Sequence, residues 1–360
     1  MSASNFPDTI RAIQYTGVGG PEVIKLNSVP FPKPGPNEML IKVLYGGVNF
    51  LDINFRRGML CPNAATFFTN KLEGIYPLPA IPWTAGWEAA GVLESLPSDP
   101  EILSDPEFKA RQFKVGQIVA SVAPVAFAEY ITQPWIKVLP VPDGIGPKLA
   151  AATSLQGTTA LTLVEEAYNA KQDDYCLVHS AAGGLGLLFC QLLSARGVHV
   201  IGSVSTKEKA ELAKANGAEY TINYKEEDLV KRVKEITNGE GVHGIYDGLG
   251  KAAWQDNLEM VRRKGTIVNF GNTTGVIPPF SILDLKAKNI HLVRPDSSQY
   301  MVTPREIREY NSLLWKTVKS GELKAVISKE YPFTPEGVGE AQEDQASGRS
   351  LGKLVIRIAN

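Results

Sequence analysis

The chain has 360 residues, with 37 Lys and Arg against 38 Asp and Glu, 4 His and 3 Cys. The length implies about two domains, and the near-balanced charge gives no electrostatic reason to expect nucleic acid or an anionic membrane as the main partner. Cys61, Cys176 and Cys190 are too few and too dispersed for a disulfide framework or a C-x-x-C zinc site.

Residues 1–137 are rich in Pro and Gly. Short β-prone runs, such as 39–45 and 117–122, alternate with turn clusters such as 30–36, which is the texture of a β-rich domain. No cationic start followed by an apolar run opens the chain, so no secretory signal is expected. The polar, charged stretch 97–113 reads as a surface excursion.

From 138 to 298 strands and helices alternate. Residues 175–179 read as a buried strand, 185–196 as an apolar helix that Gly197 can stop, and 198–204 as a second strand. A helix over 207–216 ends at Gly217 in the C′ position, and a third strand at 219–224 precedes an amphipathic helix over 228–237. Strands at 244–247, 266–270 and 289–293 follow, with a helix over 253–263 between the first two. Such alternation means an α/β domain with a doubly wound parallel sheet covered on both faces.

Residues 299–360 hold a long helix over 304–319 and further β-prone runs. The last run, 353–358, can complete a sheet of the first domain and make that domain discontinuous. The expected division is 1–137 with 299–360, and 138–298. The most apolar stretch, 175–202, is broken by His179, Gln191 and Arg196, which argues against a membrane span. The chain ends in Arg357-Ile358-Ala359-Asn360, no retention or peroxisomal tag. A cytoplasmic protein is expected.

Residues 181–186 read Ala-Ala-Gly-Gly-Leu-Gly and fit A-x-G-x-x-G directly after a buried strand and at the opening of a helix. Gly183, Gly184, Leu185 and Gly186 stand where a backbone can approach a pyrophosphate and a helix N-terminus can donate N–H groups to it. A strand-to-helix turn that merely needs glycine is the plainer account. An Asp or Glu at the end of the second strand would select NAD. Here the segment 205–209 reads Ser-Thr-Lys-Glu-Lys. Hydroxyls and ammonium groups suit a 2′-phosphate, so NADP(H) is favoured over NAD. The alternative is an N-capped helix with solvated lysines.

His179, His199, His243 and His291 are too scattered for a local metal motif, and neither H-E-x-x-H nor G-x-S-x-G is present. His179 reads as a satisfied core histidine, with a cofactor-side role as the alternative. Cys61, in a polar loop, and Cys190, on an apolar helix, read as structural rather than reactive.

Six blocks then point to a family: 47–52 (Gly-Val-Asn-Phe-Leu-Asp), 85–91 (Ala-Gly-Trp-Glu-Ala-Ala-Gly), 155–160 (Leu-Gln-Gly-Thr-Thr-Ala), 181–187, 246–250 (Tyr-Asp-Gly-Leu-Gly) and 270–272 (Phe-Gly-Asn). In this order, over nearly the whole chain, they resemble the zinc-independent quinone oxidoreductases, the zeta-crystallin-like branch of the medium-chain dehydrogenase/reductase superfamily. The runs 274–280 and 292–295 are similar to fungal members. The resemblance implies a GroES-like β-rich catalytic domain, closed by the C-terminal segment, beside a Rossmann domain. Zinc-dependent relatives have Gly-His-Glu where this chain reads Gly86-Trp87-Glu88, and a four-cysteine lobe that three Cys cannot build. No metal is expected.

Site residues follow from the same resemblance. It implies Asn49 near the nicotinamide and its ribose, Asp52 as a polar residue of the substrate cleft, and Tyr76 as a cleft tyrosine. Thr159 would lie near the cofactor phosphates, and the turn at Gly183 to Gly186 on the pyrophosphate. Ser205, Lys209 and Tyr224 would form the 2′-phosphate pocket, Tyr224 being otherwise a surface tyrosine at a strand end. Further cofactor contacts are implied at Leu249, Phe270, Asn272 and Arg349. Three departures stand out: Asn54 where several members have tyrosine, an apparent insertion at 59–73 beside the expected cleft, and Gly348 before Arg349 where some members have serine.

The implied activity is hydride transfer from NADPH to a quinone or related conjugated carbonyl in an interdomain cleft. Little acid catalysis is needed because the product oxyanion is resonance-stabilised, and Tyr76 or Asp52 could relay a proton. An enoyl-thioester or alkenal reductase on the same fold is the alternative, for which Arg56 and Arg57 offer a basic path unless they are an exposed pair at a turn. An alternative of another class is NADPH-regulated binding of AU-rich RNA, against which the neutral charge argues. A homodimer is expected by analogy.

Overall fold

The computed structural model describes residues 6–58 and 81–359. Tyr76, Cys61 and the stretch 59–73 lie outside the described residues. In β1 (Thr9–Tyr15), Ile10 and Ala12 are buried on one face while Thr9 and Arg11 face water on the other, and that second face is covered in turn at Ile13 and Tyr15. β1 pairs antiparallel with β2 (Ile24–Pro30). The next strand, β3 (Glu38–Gly47), runs into a short helix, α1 (Phe50–Arg56). β4 (Trp83–Thr84) returns to β1, and β5 (Ala89–Ser95) pairs antiparallel with β3.

The stretch 97–113 is more than an excursion. Asp99 caps α2 (Pro100–Ser104) and Asp105 caps α3 (Pro106–Ala110), each with Pro at the first turn. These turns carry Phe108 and Phe113 into the core, where the Phe108 ring meets Trp135 at 5.5 Å between centroids. β6 (Ile118–Ser121), β7 (Tyr130–Pro134) and β8 (Val138–Pro140) extend the sheet, β7 along β3 and β8 beyond β6.

A long helix, α4 (Pro147–Thr162), leads into the second unit. There, strands and helices alternate as β9 (Tyr175–Val178), α5 (Gly184–Ser194), β10 (His199–Val204), α6 (Lys207–Ala215), β11 (Tyr220–Asn223), α7 (Leu229–Ile236), β12 (Val242–Asp247), α8 (Trp254–Met260), β13 (Val261–Asn269) and β14 (His291–Val293). All pairs are parallel, in the order β11-β10-β9-β12-β13-β14. Winding proceeds outward from β9 to β11, then restarts at β12 on its other side. α8 is shorter than the helix expected over 253–263. It stops at Met260 because Val261 pairs with Val242 and opens β13. α9 (Pro304–Ser320) begins with a Thr303–Glu306 capping box and Pro304, and stops at Gly321 with φ 78°.

β15 (Ile327–Pro332), α10 (Pro335–Ala346) and β16 (Lys353–Arg357) return to the first unit. β16 lies between β15, parallel, and β3, antiparallel. The two units are Met1–Leu155 with Ile327–Asn360, and Gln156–Val326. The joins thus fall later in the chain than 137/138 and 298/299, where the sequence reading sets them. The second join moves because α9 and the chain just after it belong with the second unit, where Tyr310 Oη donates to Glu166 Oε1 (2.7 Å) and Gln191 Nε2 donates to Lys324 O (3.0 Å).

Candidate functional site

Parallel strands all leave a sheet at the same edge, and in open α/β sheets ligands sit at that edge where the strand order reverses. In the second unit the reversal falls beside β9. Ser180, at φ 52°, starts the turn into α5, and its carbonyl accepts from Gly183 N at 2.9 Å. A Cβ at Gly186 would lie far inside van der Waals distance of that carbonyl, and one at Gly184 would strike the Gln156 amide. Gly183 is the N-cap of α5 and brings no side chain to it. The first-turn N–H groups of Gly184, Leu185 and Gly186 therefore form a positive end with no side-chain acceptor, suited to a pyrophosphate.

Ser205 and Tyr224 each follow one residue after the Val204–Asn223 register pair, so they are neighbours across β10 and β11. Lys209 Nζ donates to Ser205 Oγ at 3.3 Å, and Tyr224 is exposed. Burial, and then the like charge of Lys225, hold the Lys209 pKa below the ordinary lysine value. A dianion bound here would relieve that repulsion.

β12 and β13 supply the next loops. Leu249 N–H donates to Asp247 Oδ1 (2.7 Å), and Phe270 N–H to Asp247 O (2.9 Å), which fixes the two loops to one another. The Phe270 ring packs on Phe189 with centroids 5.3 Å apart. The Asn272 amide donates to Gly271 O (2.8 Å) and accepts from Arg294 Nη2 (3.2 Å), while Arg294 Nη1 donates to Asn269 O (3.0 Å). Thr159 Oγ1 and Ser297 Oγ lie 3.2 Å apart. Segments after β9, β10, β11, β12 and β13 thus each bring a sequence-predicted residue to one edge. The segment after β14 adds Arg294 and Ser297, which sequence reasoning missed.

A second cluster lies in the first unit. Asn49 caps α1, and its N–H donates to Asp52 Oδ2 at 2.8 Å. The Asn49 Nδ2 donates to Gly47 O (3.1 Å) and Glu88 Oε2 (3.0 Å), while Oδ1 accepts from Lys353 Nζ (2.6 Å). Lys353 Nζ also meets Glu88 Oε2 at 2.8 Å, and Glu88 Oε1 accepts from Leu155 N–H at 2.6 Å. All four side chains are buried. Burial pushes the Asp52 carboxyl up to about 7, with Glu88 adding to the rise, against the Asn49 N–H and the Lys353 ammonium. Asp52 Oδ1 has no hydrogen-bond partner among the described residues. This carboxyl can gain or lose a proton near neutral pH.

Glu88 and Lys353 were invisible as site residues. Their signal is a charge set directly beside buried apolar runs, before Ala89-Ala90 and before Leu354-Val355-Ile356. Trp87 packs on Phe55 at 4.6 Å between ring centroids. No group of three or more His, Cys, Asp or Glu able to hold a metal occurs among the described residues.

Other expectations resolve one by one. His179 is a satisfied core histidine, with Nδ1 3.1 Å from Ser203 Oγ and Nε2 2.8 Å from Asn257 Oδ1. Cys190 is buried and its thiol is pushed up to about 12 by desolvation. Arg56 and Arg57 form neither an open basic path nor an exposed pair. Arg56 is buried and donates to Glu343 Oε1 (2.8 Å) and Gly19 O (3.3 Å), and Arg57 shares Glu343 at 3.1 Å. A buried guanidinium has to be paired, and α10 supplies the carboxylate. Arg349 follows Gly348 (φ 65°) in the first unit, its N–H donating to Ser347 Oγ at 3.2 Å.

Residues 35–143 match the alcohol dehydrogenase GroES-like domain and residues 184–316 the zinc-binding dehydrogenase domain. The chain is 37% identical over 345 residues to a probable quinone oxidoreductase of Schizosaccharomyces pombe, covering 96% of each chain. It is 31% identical to a 2-haloacrylate reductase of a Burkholderia species, covering 94% of this chain and 96% of that one. The crystal structure of Escherichia coli quinone oxidoreductase complexed with NADPH superposes with a TM-score of 0.84 at 30% identity, covering 96% of this chain and 99% of that one.

Proposed function

The chain belongs to the quinone oxidoreductase branch of the medium-chain dehydrogenase/reductase superfamily, and we propose that it reduces quinones with NADPH, by hydride transfer and without zinc. One observation supports this reading beyond family membership: in the second unit, Gly183 to Gly186, Ser205, Tyr224, Leu249 and Phe270 follow the ends of successive parallel strands at a single sheet edge. A hydroxyl and paired ammonium groups stand there at the end of β10, where a carboxylate would select NAD.

When bound, NADPH supplies the hydride, and the protein supplies position and electrostatics. The first-turn N–H groups from Gly184 to Gly186 hold the pyrophosphate. Ser205, Lys209 and Tyr224 hold the 2′-phosphate, with Lys225 adding charge. Thr159 serves the phosphates, while Leu249, Phe270, Asn272 and Arg349 complete the contacts. Asn49 binds the ribose of the nicotinamide half. Asp52 holds a proton that it can release near neutral pH to the reduced quinone, whose oxyanion needs little further help. Tyr76 is the other candidate for that proton.

The test is loss of reduced-nicotinamide absorbance with a panel of acceptors: ortho- and para-quinones, an alkenal, a 2-haloacrylate and an enoyl-CoA. Quinone turnover that yields the two-electron hydroquinone as the first product is expected, and a one-electron product would remove hydride transfer. Turnover confined to the carbon–carbon double bonds would move the reaction to the second reading. Similarity to a 2-haloacrylate reductase favours that reading, but the buried, paired Arg56 weighs against a CoA ester. Retention on AU-rich RNA that NADPH competes away would replace both by a binding role.

The proposal includes a cytoplasmic homodimer. β14 is an edge strand, and Ile282 and Leu283 ahead of it are 78% and 69% exposed, an apolar surface that a second copy would cover. Light scattering and cell fractionation test these two points. No helix among the described residues is long and apolar enough to cross a membrane.

A further inference from the structure

The surroundings of Asn49 accept its side-chain amide in one orientation only. Both Nδ2 hydrogens are spent, on Glu88 Oε2 (3.0 Å) and Gly47 O (3.1 Å), and Oδ1 faces the Lys353 ammonium at 2.6 Å. Turned over, the amide would set its oxygen against a carboxylate and a carbonyl, and its NH2 against an ammonium. Lys353 is the one donor of these three neighbours, and with the acceptors Glu88 Oε2 and Gly47 O it fixes the orientation. It is held in turn by Glu88, 2.8 Å away, whose other oxygen takes the Leu155 N–H at 2.6 Å.

The Lys353 and Glu88 side chains are 2% and 0% exposed. A buried ion pair is weak evidence for a stabilising role, because an apolar pair of similar volume often serves the fold as well. Another reason for it lies in what it leaves open. An amide oxygen has two acceptor positions. Lys353 fills one, and the Asp52 N–H, although turned toward the Asn49 side chain in the capping box, makes its hydrogen bond to Asn49 O (3.0 Å), so Oδ1 can still accept and the amide can no longer donate. Asp52, on the backbone N–H of Asn49, does not disturb this arrangement.

We infer that Lys353 is a positioning residue: with Glu88 it locks Asn49 as an acceptor, which selects a donor, a ribose hydroxyl or the carboxamide NH2, on the nicotinamide half of the cofactor. A phosphate oxygen, which only accepts, is the wrong partner for it. The inference rests on the proposed contact between Asn49 and NADPH.

The test uses the full-length protein. Lys353→Met alone would strand the Glu88 charge in the interior, so the deciding variant is Lys353→Met with Glu88→Gln. The new amide keeps its oxygen on Leu155 N–H and turns its NH2 toward Asn49, which favours the reversed orientation there. Binding of NADPH is followed by its fluorescence, without turnover, and compared with binding of adenosine 2′,5′-bisphosphate, which lacks the nicotinamide half. The double variant and Asn49→Ala are each expected to weaken NADPH about tenfold, one good hydrogen bond's worth. Both leave the bisphosphate unchanged, and combining all the substitutions weakens NADPH no further.

Asn49→Ala binding NADPH like the unaltered protein would remove the Asn49 contact, and the inference with it. A tenfold loss in Asn49→Ala, with the double variant binding normally, would keep the contact and overturn the role of Lys353. Equal loss of the bisphosphate and NADPH in a folded double variant would reduce the pair to a structural role. Lys353→Met with Glu88→Leu, an apolar pair, decides by the same readings if the first double variant does not fold.

Discussion

Asp52 is a carboxyl whose charge the fold disfavours. Burial pushes it up to about 7, from an unfolded value near 4. The sign follows: the contribution of the neutral carboxyl is fully present below about pH 4 and is lost as pH rises through about 7. Asp52→Asn keeps an oxygen for the Asn49 N–H and removes the titration. In urea melts it should match the unaltered protein at pH 4 and exceed its stability at pH 8 by roughly 4 kcal/mol. With Asp52 as the proton source, quinone turnover should fall as pH rises through 7, and Asp52→Asn should be slower and flat across that range. Parallel pH profiles would remove Asp52 from the proton path. At this scale the sequence was readable where chemistry is local. Asn49 and Asp52 sit in one short block, three residues apart, as an N-cap and its N3 partner. Lys353 and Glu88 are separated by 265 residues. Only the placing of β16 against β3 brings them together, and no local pattern announces it.

The turn from β9 into α5 is legible for the opposite reason, since its requirement is steric and local. Glycine is needed at 186 because the Ser180 carbonyl occupies the space of a Cβ. Gly186→Ala should displace the turn, lower stability by about 1–3 kcal/mol, and weaken NADPH binding at least tenfold. Differential scanning calorimetry and fluorescence titration read the two effects. Normal NADPH binding by this variant would mean that the α5 terminus does not hold the pyrophosphate. α9 was equally plain from its Thr-Pro-x-Glu start and glycine stop. The boundary of α8 was not, because pairing of Val261 with Val242 outweighs helix propensity there. The stretch 97–113 misled for a similar reason. Charges dominate its composition, while Phe108 and Phe113, with Ile102 packed against the same core, carry it inward.

Across the whole chain, alternation of strands and helices foretells the parallel sheet, and the β-rich texture foretells the other unit. The joins were harder to read, because α4 runs across one of them without a break in helical pattern. Each unit has its own apolar core and its own part of the proposed chemistry. The first unit holds the titratable cluster around Asn49, and the second the dinucleotide edge. The most direct measurement of the central claim is kcat/KM for a para-quinone with NADPH and with NADH, in the unaltered protein and in Lys209→Ala. Turnover with NADPH is expected to be at least tenfold better than with NADH, and Lys209→Ala to lose most of this preference while its NADH rate stays put. No quinone turnover with NADPH bound, or equal use of the two cofactors, would contradict the claim.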